Sequence, residues 1–211
     1  MRIDYCDILR DIHIALDEVT GADAKEDDFA TDMDTELRQA VNSAIEQLLG
    51  EVSDDLIDMK QGTSQAVTKA SGTGEVVASV PLPNDYLRLS SISFTSWPMP
   101  LTEVTEPGSE KAKMQACQWT RGTIYKPVII PATTAPTPGT PAKILKVYSV
   151  MDTDNLEDFA YVPKPSYGNA YVDCALHSEV RKAIVYRAAA IFLDTHREEA
   201  SSKYYELSKV V

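Results

Sequence analysis

The apolar residues of this chain change their spacing near Gly62, and that change restricts the fold more than any other feature. Before it, Ile3, Cys6, Leu9, Ile12, Leu16 and Val19 recur at helical spacing with acids between them. The spacing predicts a helix over 2–19, with Gly21 at its C-terminal cap. A polar loop, 22–34, follows around a single anchor, Phe29. A second helix is expected over 34–49, with Asp34 as N-cap, a stripe of Leu37, Val41, Ala44, Ile45 and Leu48, and Gly50 as its stop. Ser53-Asp54-Asp55 reads as the cap of a short helix, 56–60.

After Gly62 the period falls to two. Residues 63–70, 75–82 and 86–97 are rich in Thr, Ser and Val and predict strands, with Ser71-Gly72-Thr73-Gly74 as a hairpin turn between the first two. In the third run the apolar members are Leu87, Leu89, Ile92 and Phe94. Their phase shifts at Ser90-Ser91, which fits a β-bulge. Further strands are expected at 112–119, 124–130 and 143–150. Between the last two lies PATTAPTPGTPA (131–142), whose four prolines and one glycine predict an extended loop. Residues 152–173 read as irregular. A closing helix spans 176–208, with Val180, Ala183, Ile184, Tyr186, Ala190, Ile191 and Leu193 inward and a candidate break at Thr195-His196-Arg197. Helices at both ends and an antiparallel sheet between them define an α+β protein. The expected division is a helical bundle of 1–60 and 174–211 and a β domain of 61–173. No internal repeat is visible.

The net charge is −12, and it is unevenly placed. Residues 1–60 hold 17 Asp and Glu against 5 Lys and Arg, whereas 61–211 hold 15 of each. Such a surface repels a phosphate backbone rather than gripping it, and the scattered basic residues after position 60 form no patch for reading DNA. A solvated helical face is the other meaning of a charge-rich segment. With 44% hydrophobic and 25% charged residues the composition is that of a globular domain, not of a disordered chain. No apolar run reaches the roughly 18–20 residues of a membrane helix. Residues 183–193 come closest and are interrupted by Arg187. MRIDYCDILRD places acids where a signal peptide has its apolar core, which argues against export. Cys6, Cys117 and Cys174 lie far apart, a pattern of buried free thiols rather than of a disulfide framework or a zinc knuckle.

The familiar chemical motifs are missing. His13, His177 and His196 fall on predicted helices without HExxH or HxxxH spacing and read as surface or interface residues. Gly72-Thr73-Gly74 is half of a dinucleotide fingerprint and lacks the helix that must follow. There is no phosphate-binding loop and no nucleophile elbow, and Glu26-Asp27-Asp28 lacks calcium-loop spacing. No enzyme, metal or cofactor is expected. Trp97, Trp119, Tyr161 and Tyr167 could stack on sugars, but aromatics at such spacings more often belong to a core or an interface.

The string VPLPNDYLRL (80–89), running on into SSI and followed by Trp97-Pro98, resembles a recurrent feature of phage head-to-tail connectors. These are the adaptor or tubular ring proteins beneath the portal of short-tailed phages, including those of crAss-like phages. Gly122-Thr123-Ile124-Tyr125-Lys126-Pro127 is similar to a later G-x-x-x-x-P strand of that group. Ala200 to Leu207 (ASSKYYEL) is similar to the end of its closing helix. The resemblance runs in order along the whole chain. It departs from the group in a longer, more acidic region between the first two helices and in the proline content of 131–142. It implies a structural virion protein without a catalytic site, at the head–tail junction, assembled in the host cytoplasm. Its partners would be the portal protein, adjacent tail or ring proteins and further copies in a twelve-fold ring, with DNA passing through unbound and no membrane. A tail-completion or hub protein of the same architecture, or a carbohydrate-binding module, is the alternative.

The resemblance also implies roles for particular residues. Connector C-termini engage the portal above, which points to Tyr204, Tyr205, Leu207, Val210 and Val211, unless Tyr204 and Leu207 simply finish the bundle. Pro136, Pro138 and Pro141 mark a loop expected to reach a neighbouring chain. Asp4, Asp7, Asp11, Glu18, Glu36 and Glu46, opposite the apolar stripes, are candidates for an acidic channel wall. Outer solvent is the alternative place for them.

Overall fold

The structure, a computed structural model, describes residues 1–20, 30–62, 67–72, 75–117, 119–137, 140–196 and 198–209. It is α+β, with N- and C-terminal helices packed together and a central set of antiparallel sheets. The chain divides into two compact units, Met1–Asp58 with Pro163–Val211, and Met59–Val162.

In the first unit, strand β1 (Arg2–Asp4) precedes helix α1 (Tyr5–Thr20), so the first helix begins three residues later than its spacing predicts. Asp4 sets that start, because its Oδ1 accepts the Cys6 backbone N–H at 2.9 Å. The buried face of α1 is Tyr5, Ile8, Leu9, Ile12, Ala15 and Leu16, while Cys6 is exposed. Cys117 is exposed as well, so only Cys174 fits the expectation of buried thiols. Helix α2 (Ala30–Glu51) starts a turn before Asp34, which therefore lies inside the helix, where an acid still favours the positive end of the dipole. Gly50 sits within its last turn. The predicted helix at 56–60 is instead a 3-10 turn, Asp54–Leu56, followed by a bridge from Ile57 to Leu176.

The second half of this unit begins with strands β9 (Ser166–Tyr167) and β10 (Tyr171–Asp173), and β10 pairs antiparallel with both β9 and β1. This pairing places 163–173 with the helices, although the sequence groups them with the β domain. A 3-10 turn, Ser178–Val180, leads into α4 (Arg181–His196), and α5 (Glu198–Leu207) closes the chain. The single long helix of the sequence reading is thus two, divided at the expected place. Helix α4 touches α1, α2 and α5. It is apolar on more than one side, and Val185, Arg187, Ala188 and Ala189 are buried beyond the predicted stripe.

The second unit holds two antiparallel sheets. One contains β2 (Lys60–Gln61), β5 (Tyr86–Phe94) and β8 (Leu156–Pro163) in the order β2-β8-β5. The other contains β3 (Thr68–Gly72), β4 (Glu75–Pro81), β6 (Val128–Thr137) and β7 (Thr140–Tyr148) in the order β3-β4-β7-β6. Val80, Leu145 and Val147 from one sheet and Leu89, Phe94, Phe159 and Tyr161 from the other share one core. The shift of phase in β5 is real: Leu89 and Ser90 are both buried, followed by Ile92 and Phe94.

Four expectations of the β segment are overturned or shifted. Residues 112–119 are not a strand: Ser109 caps a short helix, α3 (Glu110–Met114), by accepting the Ala112 N–H at 3.3 Å. Residues 131–137 and 140–142 are not a loop but strand, the far parts of β6 and β7, paired out to Thr137 and Thr140, and Pro138 and Gly139 lie outside the described residues. Prolines survive there because β6 is an edge strand and β7 is paired with β4 only from Ile144 onward. Pro136 and Pro141 fall where the register shifts between Thr134 and Thr137. Finally, 156–163 is a strand. Five consecutive buried residues, Phe159–Pro163, hide its period of two. The strand predicted at 124–130 begins only at Val128, after a tight turn bridged between Thr123 and Lys126.

Candidate functional site

Asp85, in the turn before β5, holds three strands together. Its Oδ2 accepts from Lys60 Nζ at 2.8 Å and its Oδ1 from the Tyr161 hydroxyl at 3.0 Å. Lys60 belongs to β2, Tyr161 to β8, and Asp85 opens β5, so one carboxylate spans the whole sheet order. The Lys60 hydrogen bond holds the Asp85 carboxyl below its ordinary value, and Asp85 in turn raises Lys60. The Tyr86 ring lies 6.0 Å from that of Tyr161, and burial pushes the Tyr86 phenol up to about 12. Trp97 makes a second joint. Its ring lies 5.1 Å from that of Phe94, and its Nε1–H donates to the Ser149 carbonyl at 3.1 Å, beside a backbone with φ of 72°. Gly122 makes a third: a Cβ there would stand 2.7 Å from the Lys126 carbonyl oxygen and 3.0 Å from Val128 Cγ2. The residues that carry the family resemblance in this unit are therefore joints of the sheets.

What faces outward is the excursion 109–126 between β5 and β6. Gln115, buried, staples it: its Nε2 donates to the Lys111 carbonyl at 2.8 Å and its Oε1 accepts the Gly122 N–H at 2.9 Å. Trp119 is 91% exposed, Tyr125 76% and Met114 47%. Lys111, Lys113 and Lys126 are exposed on the same segment. The Cys117 thiol is held below its ordinary value by the backbone N–H groups of Trp119 and Thr120 and the Thr120 hydroxyl. Reading 112–119 as a strand hides this surface, because it would turn alternate residues into a sheet.

The acids proposed for a channel wall do not form one set. Asp4 and Asp7 are exposed, the first capping α1 and the second 3.3 Å from Arg10. Asp11 is half-buried and binds Arg181 of α4 through both Nε, at 3.2 Å, and Nη2, at 2.7 Å. Glu36 is exposed; Glu46, also exposed, accepts from the Tyr167 hydroxyl at 2.8 Å. The side chain of Glu18 lies outside the described residues. By unit, the helices carry 23 Asp and Glu against 11 Lys and Arg, and the β unit carries 9 of each, so the entire −12 belongs to the helical unit.

At the C-terminus, Tyr204 is not available to a neighbour. Its side chain is fully buried and its hydroxyl donates to the Ala15 carbonyl at 3.0 Å, because α5 lies over the end of α1. Tyr205 is half-buried and donates to Asp194 at 2.8 Å; burial foremost, then that bond, pushes it up to about 12. Leu207 is exposed. Val210, Val211 and Pro138 lie outside the described residues, and of Pro136 and Pro141 only the backbone is described. Beneath this end lies an unexpected buried cation. Arg187 grips Glu51 with two nitrogens at 3.1 and 2.9 Å, reaches Gln47 at 3.2 Å and donates to Ser208 at 2.9 Å.

The four aromatics considered for sugar stacking are not gathered. Trp97 and Tyr161 are core, and Tyr167 belongs to the helical unit. His13 faces Asp34 at 3.6 Å and His177 faces Asp58 at 3.0 Å. Among the described residues no three His, Cys, Asp or Glu side chains converge as a metal site, and no helix is long and apolar enough to cross a membrane. No known family model matches the sequence, and no curated protein matches it.

Proposed function

We propose that this chain is a structural subunit of a phage head-to-tail connector, a ring below the portal through which DNA passes. The observation that carries the reading is the order of the motifs along the whole chain: helices, LPNDYLRL, Trp97-Pro98, Gly122 to Pro127, and a closing helix with ASSKYYEL. The charge division supports it. A conduit must not hold the polyanion it conducts, since each neutralised phosphate releases a counterion and adds salt-dependent affinity that a ring would multiply. An acidic unit joined to a neutral one supplies a non-adhesive wall and a separate body for contacts. In this reading Asp4, Asp7, Glu36 and Glu46 face the lumen or its rim, while Asp11 serves the packing of α1 on α4. The tip of the β6–β7 hairpin and the end of the chain, with Leu207, Val210 and Val211, meet the portal and neighbouring tail proteins.

Co-purification tests this. The full chain, mixed with the portal protein encoded in the same genome, is expected to co-elute as a complex much larger than either component. Separate elution at every salt concentration, with each protein folded, would count against the assignment.

A further inference from the structure

We infer that Arg187 is a positioning residue: it latches the end of α5 to α2 and α4, and so fixes the point from which the residues after Ser208 leave the helical unit. Only the identity of what that end meets, the portal, rests on the connector reading. Arg187 precedes Ala188, Ala189 and Ala190 on α4, all fully buried, and is itself 8% exposed. Stability alone does not call for a cation there. Taking a guanidinium out of water costs about as much as its pairing returns, and an apolar side chain of similar volume is often neutral or better at such a place. What an apolar side chain lacks is direction. The guanidinium N–H groups point along fixed lines, and those of Arg187 tie three parts of the unit together. Nη1 and Nη2 donate to the two Glu51 oxygens at 3.1 and 2.9 Å, and Nη1 reaches Gln47 at 3.2 Å, both on α2. Nε donates to Ser208 Oγ at 2.9 Å, one residue past α5. Ser208 is fully buried; its hydroxyl donates to the Tyr205 carbonyl at 2.8 Å and its N–H to the Tyr204 carbonyl at 2.9 Å. A hydroxyl has one hydrogen, so with that hydrogen on Tyr205 the oxygen faces Arg187 as an acceptor. The Glu51 side chain is 57% exposed and would turn to water without Arg187, whereas Ser208 would lose its donor. The bond to Ser208 is therefore the part of the network that water does not replace. Chain ends fray at close to zero free energy unless tied down, so this bond decides how far the end is pre-organised for a partner.

Hydrogen exchange and urea unfolding of the full chain, read together, test this. Arg187→Met keeps the volume and removes the directed bonds. Its urea midpoint is expected at or above that of wild type, while the amides of residues 208 and 209 exchange at least about tenfold faster, the factor for losing a bond to a charged group. A residue that merely holds the bundle together would move both in the same sense, so a midpoint that falls in step with the lost protection would overturn the inference. Ser208→Ala, which keeps the Arg187–Glu51 pair, is the second variant. Exchange at 208 and 209 at the wild-type rate in that variant would overturn the latch whatever Arg187→Met does. Ser208→Ala should also bind the portal roughly two- to fivefold more weakly, because only the closed fraction is competent. Equal portal affinity of wild type and Ser208→Ala would overturn the positioning role while leaving the connector reading intact. The expected exchange pattern from a chain that ignores the portal would support the latch and count against the connector reading.

Discussion

Asp85 joins three strands with two hydrogen bonds, and its sequence neighbourhood prepares it for that work. The prolines at 81 and 83 set an extended approach, and the Asn84-Asp85 turn aims the carboxylate at Lys60 and Tyr161. Lys60 and Asp85 are 58% and 39% exposed, so the ion pair alone contributes no more than about 1 kcal/mol. The bond to the buried Tyr161 hydroxyl adds about as much. Asp85→Ala should therefore lower unfolding stability by roughly 1–2 kcal/mol in urea titrations at neutral pH. The carboxyl is depressed in the fold, so its contribution is present above 3.8 and disappears as pH falls from there through the lower folded value. The raised Lys60 acts in the opposite sense, contributing below 10.5 and losing its contribution as pH rises past its folded value. The difference between wild type and Asp85→Ala should shrink at both ends; a difference constant down to strong acid would contradict the assignment. Tyr204 offers a second test. Because its ring is buried and its hydroxyl bonded to Ala15, Tyr204→Phe should cost about 1 kcal/mol and Tyr204→Ala about 3–5. Truncation after Ser202 should consequently unfold or precipitate the chain rather than yield a soluble subunit.

At the scale of elements, the helices were legible because their stripes are regular and bordered by acids, and the β segment was legible from Gly62 onward. What was not legible has physical causes. Pro131, Pro136 and Pro141 argue against a ladder only if the strand is central, and sequence cannot say which strand lies at an edge. Phe159 to Pro163 are buried in succession, so alternation vanished from β8. An accidental alternation in 112–119 hides the helix that Ser109 caps. Of the proposed site, the acids were visible as a charge excess, but their partners were not. Arg181 lies 170 positions from Asp11, and Tyr167 lies 121 from Glu46. In the sequence Gly122 stands out only through the resemblance of 122–127 to a G-x-x-x-x-P strand. Its reason is crowding against backbone that has no freedom to retreat, so Gly122→Ala should destabilise by about 1–3 kcal/mol. A thermal melt of Gly122→Ala unchanged from wild type would show that the Thr123–Lys126 turn yields.

On the scale of the whole molecule, the division of charge matters more than its sum. Asp7→Lys with Glu36→Lys changes the balance of the helical unit by four without touching a buried group or the Asp4 cap of α1, so folding should be nearly unaffected. If these acids line a conduit, rings carrying the pair should retain DNA at low salt and release it as salt rises, with a slope set by the added phosphate contacts. Wild-type rings should retain none in a filter-binding assay at either salt concentration. The proposed connector function requires that copies of this chain close into a ring whose lumen presents the acidic helices. Electron microscopy of the complex with the portal, resolved well enough to trace helices, tests it most directly. Closed rings coaxial with the portal, with α1 and α2 toward the lumen, are the expected result. Discrete monomers bound at the periphery would contradict the ring; a ring lined by the β unit would contradict the role given to the acids.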